Sequence, residues 1–318
     1  MKIPESLITD FKKETVFLLA AHIGPDGDAI GSCLALAEAL KSLGKTVFVY
    51  DKEPVPECYR FMPGHRSFRS TIGKMLSKNP LVVLLDCNSP ERAALEGYTF
   101  RKTVVIDHHE TESDFGDIRW VERASAATGL MVFHLIKAMG IPLTKTIATN
   151  LYTAIAVDTG TFRYSNTDPD VLRAGAELVE AGARPGTISE HLYERWGENR
   201  FELLIRTLGT LEIKDGIAIA HVTKDMLKKT GTTESDTENF ANFPRIIDSV
   251  KISVLIREVD NGRWKVSMRS KGTVNVATIA AAYGGGGHRN AAGFRIRADL
   301  ETIIKAIFKS GRAVLSQS

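Results

Sequence analysis

Four stretches of this sequence end in residues able to hold a cation or move a proton. They are His22 with the loop Ile23-Gly24-Pro25-Asp26-Gly27-Asp28, then Asp86, then Asp107-His108-His109, and Asp158 after the helix-like run 147–157. Singly, each has an ordinary explanation. Asp26 or Asp28 can cap the helix that follows, Asp86 can cap the turn at 88–92, and Asp158 can be a turn residue beside Gly160. The adjacent pair His108 and His109, next to an aspartate, is harder to explain as core filler. Jointly the four point to one place, because acids gathered there would repel and raise one another's pKa, and bound divalent cations remove that cost. Imidazole with several carboxylates and no thiolate suits manganese first, with iron, cobalt or magnesium as substitutes and zinc less favoured. Two such ions, about 3.5–4 Å apart, would activate water and offset the charge of a phosphoryl transition state, so the natural chemistry is hydrolysis of a phosphate ester. No G-x-S-x-G elbow or placed triad indicates a serine or cysteine nucleophile.

A second cluster lies at Tyr283-Gly284-Gly285-Gly286-Gly287-His288-Arg289-Asn290-Ala291-Ala292-Gly293. Consecutive glycines allow close backbone approach and can aim successive N–H groups at an anion. A bare GGGG is otherwise a flexible turn, and Arg269 alone is a solvated strand charge. With His288 and Arg289 directly following and Arg269 near in sequence, the cluster reads as a clamp for phosphate or nucleotide. His65, His134, His191 and His221 stand in no comparable context.

The elements that must position these residues alternate β-branched runs with amphipathic stretches. Strands are expected at 15–22, 46–50, 81–86 and 103–107, and helices at 31–44, 125–139, 145–157 and 170–181, with Gly44 and Gly140 as C-terminal caps and Ser125 and Asp168 as starts. This is the grammar of a parallel sheet with crossover helices, in which the carboxyl ends of neighbouring strands open on one crevice. Residues 187–213 read as a charged helical connector, and beyond them the pattern changes to strands at 217–222, 251–259 and 263–270, with a hairpin turn at Asp260-Asn261-Gly262. The polar stretch 230–239 reads as an exposed loop. The fold class is therefore α/β: an N-terminal parallel-sheet domain over 1–188, a helical linker over 189–213, and a smaller α+β domain over 214–318.

At 318 residues, 43% hydrophobic and 25% charged, the chain is long enough for two cores. A formal net charge of +3 is too mild for a duplex-DNA binder. Cys33, Cys58 and Cys87 are odd in number and have no metal or disulfide spacing, which suggests a reducing, cytoplasmic setting. The longest early apolar run, 16–21, is far short of the roughly 20 residues that span a bilayer, so no membrane association is expected.

Five motifs in order, HIGPDGDAIGS at 22–32, LLDCNSPER at 84–92, VIDHH at 105–109, AVDTGTFRYSNT at 156–167 and GGGGHRNAAGF at 284–294, resemble those of the DHH phosphoesterases. The last is similar to the motif of the DHH-associated C-terminal domain, and the compact length resembles the branch of bacterial nanoRNases and pAp phosphatases. The resemblance implies that His22 and Asp26 hold one metal, that Asp28, His108 and Asp158 hold the other, and that Asp86 bridges both. It further implies that Asp107 supports these ligands and that His109 faces the scissile phosphate, as charge stabiliser or proton donor. Arg269 and the loop Gly284, Gly285, Gly286, Gly287, His288 would hold the far end of a nucleotide, in a cleft that closes as the two lobes approach. Ala127-Thr128-Gly129-Leu130 stands where an acid is sought, so substrate contacts are not expected from that segment.

The activity so implied is manganese-dependent hydrolysis of short oligoribonucleotides to 5′-mononucleotides, and of 3′-phosphoadenosine 5′-phosphate to AMP. Cleavage of cyclic di-AMP or its linear product pApA is the alternative. A family II pyrophosphatase would carry a basic C-terminal motif where this chain has GGGGH, and a RecJ-like processive exonuclease would be longer. A catalytically silent nucleotide-binding protein would have lost a ligand, and none is missing. A homodimer is compatible with the sequence but required by no feature of it.

Overall fold

The computed structural model describes residues 1–109, 113–260 and 262–316, with His288 described in its backbone alone; Asn261 of the expected hairpin turn lies outside the described residues. Two compact units divide the chain, Met1–Arg195 and Trp196–Ser318.

The first unit runs α1 (Glu5–Lys13), β1 (Val16–Ala20), α2 (Gly27–Ser42), β2 (Thr46–Tyr50), β3 (Phe68–Arg69), α3 (Gly73–Leu76), β4 (Leu81–Leu85), β5 (Thr103–Asp107), β6 (Ile118–Val121), α4 (Thr128–Ala138), α5 (Lys145–Asp158), α6 (Pro169–Glu180) and α7 (Pro185–Tyr193). The six strands form one sheet in the order β3-β2-β1-β4-β5-β6, every pair parallel. β4 and β5 are buried along their whole length, as continuous apolar strands covered on both faces must be. In β1, Phe17 and Leu19 enter one core and Leu18 and Ala20 the other, which is the two-residue alternation of a strand between two layers. α2 is apolar on nearly every side because it is sandwiched against α4 and α5. Its Gly31 is what permits that approach, since a Cβ there would stand 2.5 Å from the carbonyl oxygen of Asn150. Gly44 and Gly140 follow α2 and α4 with φ of 74° and 72°, the left-handed turn that glycine adopts without steric cost. Cys33 and Cys87 are free and buried in the packing.

Some boundaries differ from expectation. Asp168 caps α6, but α4 starts at Thr128 rather than at Ser125, because Ala127 before it is extended. The expected connector is two helices separated at 194–197, α7 in the first unit and α8 (Glu198–Leu208) in the second, followed already at Glu212 by a strand.

The second unit continues with β7 (Glu212–Lys214), β8 (Ile217–Val222), α9 (Lys224–Thr230), β9 (Ile252–Asp260), β10 (Arg263–Ser270), α10 (Ala277–Ala282), β11 (Gly286–His288), β12 (Ala291–Arg297) and α11 (Leu300–Leu315). Its sheet has the order β11-β12-β10-β9-β8-β7, antiparallel except for β8 with β9. Residues 230–239 are not a bare loop: they hold a 3₁₀ turn at Glu234–Thr237, with Thr230 and Thr237 buried. One sheet face packs on α10 and α11 through Val254, Ile256, Val266, Met268 and Phe294. The other is covered over β8 and β9 by α8, α9 and the 3₁₀ segment 240–246, through Ala220, Val222 and Leu255, and the 3₁₀ segment also reaches β10.

Candidate metal centre

In the order β3-β2-β1-β4-β5-β6 the chain winds one way from β1 and then the other way from β4, and ligands of such sheets bind beyond the strand ends where the winding reverses. His22 lies just past β1, Asp86 directly follows β4, and Asp107 ends β5 with His108 and His109 behind it. Asp86 has a φ of 60°, in the left-handed region that costs a non-glycine residue about 1–3 kcal/mol. Its N–H donates to the carbonyl of Ile106 at 3.1 Å, so the neighbouring strand holds the turn in place.

The loop after β1 supplies Asp26 and Asp28 from the start of α2. Asp26 Oδ1 caps the helix, accepting from the N–H groups of Asp28 and Ala29 at 3.0 and 3.1 Å. Capping and membership of the cluster thus coincide in one carboxylate. Asp28 is fully buried and accepts from the first amides of α4, Thr128 N–H at 2.7 Å and Gly129 N–H at 2.7 Å. Thr128 Oγ1 donates to Asp86 Oδ1 at 3.0 Å. His108 Nδ1 lies 3.0 Å from the carbonyl oxygen of Ser125, which can only accept, so Nδ1 carries the hydrogen. Nε2 is thereby left facing Asp158 at 3.1 Å, Asp86 at 3.4 Å and Asp28 at 3.6 Å. His22 Nε2 stands 3.3 Å from the other Asp86 oxygen.

Three overlapping sets result, His22–Asp26–Asp86, Asp28–His108–Asp158 and Asp86–His108–His109, each offering ligand atoms within 4.8 Å of one another. All six sequence-expected ligands come together. Oxygen and imidazole donors in overlapping sets, with no thiolate among them, fit a pair of hard to borderline divalent cations. Beside them, Asp107 Oδ1 receives His109 Nδ1 at 2.7 Å and the N–H groups of His108 and His109 at 2.9 and 3.3 Å. His109 Nε2 stands 3.3 Å from an Arg92 guanidinium nitrogen.

The electrostatics show what the crowding costs without a cation. Burial, with the charges of Asp158 and Asp86, raises the Asp26 carboxyl to about 7. Burial and the same two acids push Asp28 well up. Burial alone would lower His22, but the hydrogen bond to Asp86 and the charge of Asp26 outweigh it and raise it to about 9. Protons therefore substitute for missing positive charge, and a cation must displace them. Manganese titrated into metal-free protein at neutral pH should release at least about one proton, read as a heat that varies with the ionisation enthalpy of the buffer. The sign follows from His22: it is protonated below about 9 and must be neutral to ligate. Apparent affinity should accordingly climb, by about tenfold per pH unit for one displaced proton, until pH reaches that value. Heats independent of buffer would refute the displacement.

Arg92, Thr128, Gly129 and the Ser125 carbonyl were not singled out from sequence. The segment 127–130, set aside for lacking an acid, works through backbone amides on Asp28. Gly129 carries a signal of its own, because a Cβ there would stand 2.5 Å from Ala154 Cβ and 3.1 Å from Asp28 Oδ1. Gly129→Val should cost about 3 kcal/mol in urea unfolding through overpacking. It should also weaken metal binding by moving Asp28, whereas valine at Gly73, where a Cβ meets nothing, should do neither.

In the second unit, Arg269 lies on β10 opposite Ala291, and His288 lies on β11 opposite the same Ala291, so Arg269 and β11 flank one rung of β12. Part of the expected glycine loop is thus strand. A Cβ on Gly285 would stand 2.2 Å from the Gly293 carbonyl and one on Gly287 2.4 Å from that of Ala291, so these glycines permit the tight hairpin. The side chain of His288 lies outside the described residues.

Comparison with known proteins agrees with this architecture. Residues 16–155 match the DHH family, N-terminal domain, and residues 215–310 match the DHHA1 domain. A Thermus thermophilus protein named bifunctional oligoribonuclease and PAP phosphatase NrnA is 35% identical over 94% of this chain and 90% of its own length. The Bacillus subtilis protein of the same name is 29% identical over 94% of this chain and 98% of its own. The crystal structure of an exopolyphosphatase-related protein from Bacteroides fragilis superposes with a TM-score of 0.87 at 28% identity, covering 97% of this chain and 95% of that one.

Proposed function

We propose that this chain, which belongs to the DHH family and carries a DHHA1 domain, is a manganese-dependent, two-metal phosphoesterase that releases 5′-mononucleotides from short oligoribonucleotides and converts 3′-phosphoadenosine 5′-phosphate to AMP. The observation that carries the reading is the meeting of two His/Asp sets on Asp86, with His109 and Arg92 beside them. His22, Asp26 and Asp86 would hold one cation, and Asp28, His108 and Asp158 the other, with Asp86 serving both. When bound, the cations supply an activated water and offset the charge that gathers on the phosphoryl group. The chain does the rest. Asp107 holds the His109 ring, and His109 and Arg92 present a polar pair to the phosphate. Arg269 and the turn Gly284–His288 grip the far end of the substrate. The relatives named for both activities supply the choice of substrate. We place the enzyme in the cytoplasm because its three cysteines form no disulfide; among the described residues no helix is long and apolar enough to cross a membrane.

The test is release of AMP from 5′-phosphorylated diadenylate by the manganese-loaded protein, beside 3′-phosphoadenosine 5′-phosphate, cyclic di-AMP and pyrophosphate. Fastest turnover of the first two upholds the assignment. Folded, metal-loaded protein that ignores both and cleaves cyclic di-AMP or pyrophosphate overturns it.

A further inference from the structure

The sheet of the second unit carries charge that its fold does not explain. Along β10, Trp264, Val266 and Met268 enter the core against α10 and α11, so Arg263, Lys265, Ser267 and Arg269 project from the opposite face. Along β12, Ala292 and Phe294 enter that core, so Ala291, Gly293, Arg295 and Arg297 share the face of Lys265. The pairing sets Arg263 directly opposite Arg297 and Lys265 directly opposite Arg295, and on its other side Lys265 stands opposite Arg257 of β9.

Like charges opposed across a ladder are destabilising, and here two such pairs are adjacent with a fifth cation alongside. The acids nearby do not cancel them. Glu234 pairs with Arg257, Asp260 pairs with Lys224, and Glu238 faces Lys265 at longer range. Among the described residues, no carboxylate lies within ion-pair distance of Arg263, Lys265, Arg295 or Arg297. All four are exposed.

The arrangement suits one kind of ligand. From Arg263 to Arg269 the cations span about 20 Å along the strand, at roughly 3.4 Å per residue. Between Lys265 and Arg269 the rung is Ser267 with Gly293, so no bulky side chain interrupts the line. Trp264, Tyr283 and Phe294 belong to the opposite, core-facing side, so the strip along β10 and β12 offers its cations to phosphates. We propose that Arg263, Lys265, Arg295 and Arg297, flanked by Arg257, form a sequence-independent track for the phosphodiester backbone of single-stranded RNA, leading to Arg269. The proposal rests on the reading of the enzyme as an oligoribonuclease. It extends that reading by giving the protein a surface for strands longer than the dinucleotide that fills the hydrolytic site.

The test uses the full chain, stripped of metal so that nothing is cleaved, and a 3′-fluorescent oligouridylate of about 12 nucleotides, a length within reach of one positively charged groove. Anisotropy titrations between about 50 and 200 mM KCl should give log K falling against log salt with a slope of about −2, as expected for three phosphate contacts on a single strand. The double variant Lys265→Gln/Arg295→Gln should bind about tenfold more weakly at the lowest salt and lose about one unit of slope. Manganese-loaded, it should hydrolyse diadenylate at the parental rate. Arg263→Gln/Arg297→Gln should repeat the pattern, and because both pairs relieve repulsion, both proteins should melt no lower than the parent. Double variants that bind the oligonucleotide like the parent, with the same slope, overturn the track and leave the hydrolase untouched. Track-dependent binding by a parent that fails to hydrolyse diadenylate upholds the track and removes the hydrolase.

Discussion

Asp86→Ala is expected to lower kcat on diadenylate by about 10³-fold or more, equivalent to roughly 4 kcal/mol of barrier. The size follows from position. Asp86 is common to two of the three ligand sets, with one oxygen 3.3 Å from His22 Nε2 and the other 3.4 Å from His108 Nε2 and 3.0 Å from Thr128 Oγ1. Burial would raise its carboxyl, but hydrogen bonds from His108 and His22 outweigh this and hold it well below the usual range, so it is the acid most committed to its charge. On the proposed assignment, removing it takes a ligand from both cations at once and leaves the imidazoles of His22 and His108 without their acceptor. A second readout separates loss of metal from loss of fold. Saturating manganese should raise the melting temperature of the parent, because a ligand at 100 times its Kd adds about 2.7 kcal/mol. The variant should show little of that gain while remaining folded. A variant that keeps the gain and loses only turnover would place Asp86 outside the metal set.

The meeting of the candidate ligands was legible because of where sheets put their ends. Apolar runs of about five residues that stop at His22, Asp86 and Asp107 announce parallel strands, and parallel strands deliver their last residues to one side. The remainder of the site was illegible for a physical reason. Asp28 is held by the amides of Thr128 and Gly129, and His108 by the carbonyl of Ser125. Backbone groups are common to every residue, so their use leaves no side-chain signature. Arg92 was quoted within a motif, but its approach to His109 depends on how the turn after β4 folds back. At the fold level, a helical period across 187–213 could not locate the break at 194–197, where Glu194, Arg195, Trp196 and Gly197 interrupt the pattern. The glycine run read as a loop became in part a strand because Gly285 and Gly287 let β11 lie closer to β12 than any side chain allows.

His109→Ala is expected to lower kcat by about 10²–10³-fold, the range for losing a placed acid–base group or a fixed polar partner of the transition state. Unlike Asp86→Ala, it should leave the manganese-induced rise in melting temperature nearly intact, because both cation sites keep a full imidazole and carboxylate set without it. Which of the two roles it plays follows from the ring's neighbours. With Nδ1 on Asp107 at 2.7 Å, the atom left for the substrate is Nε2, and that atom faces the Arg92 guanidinium at 3.3 Å. A guanidinium only donates, so Nε2 meets it as an acceptor and carries no hydrogen to give away in this arrangement. The ring thus holds Arg92, whose remaining N–H groups can present positive charge to a phosphate oxygen, and has no proton for a departing one. The loss in His109→Ala should therefore be about equal for a nitrophenyl ester of a nucleotide, whose leaving group needs no proton, and for diadenylate, whose leaving group does. Asp107→Asn, which loosens the ring without removing it, should cost about 10–100-fold on both substrates, as losses of supporting partners around metal sites do. A deficit confined to diadenylate would instead assign the leaving-group proton to His109 and require Arg92 to withdraw from Nε2 when substrate enters.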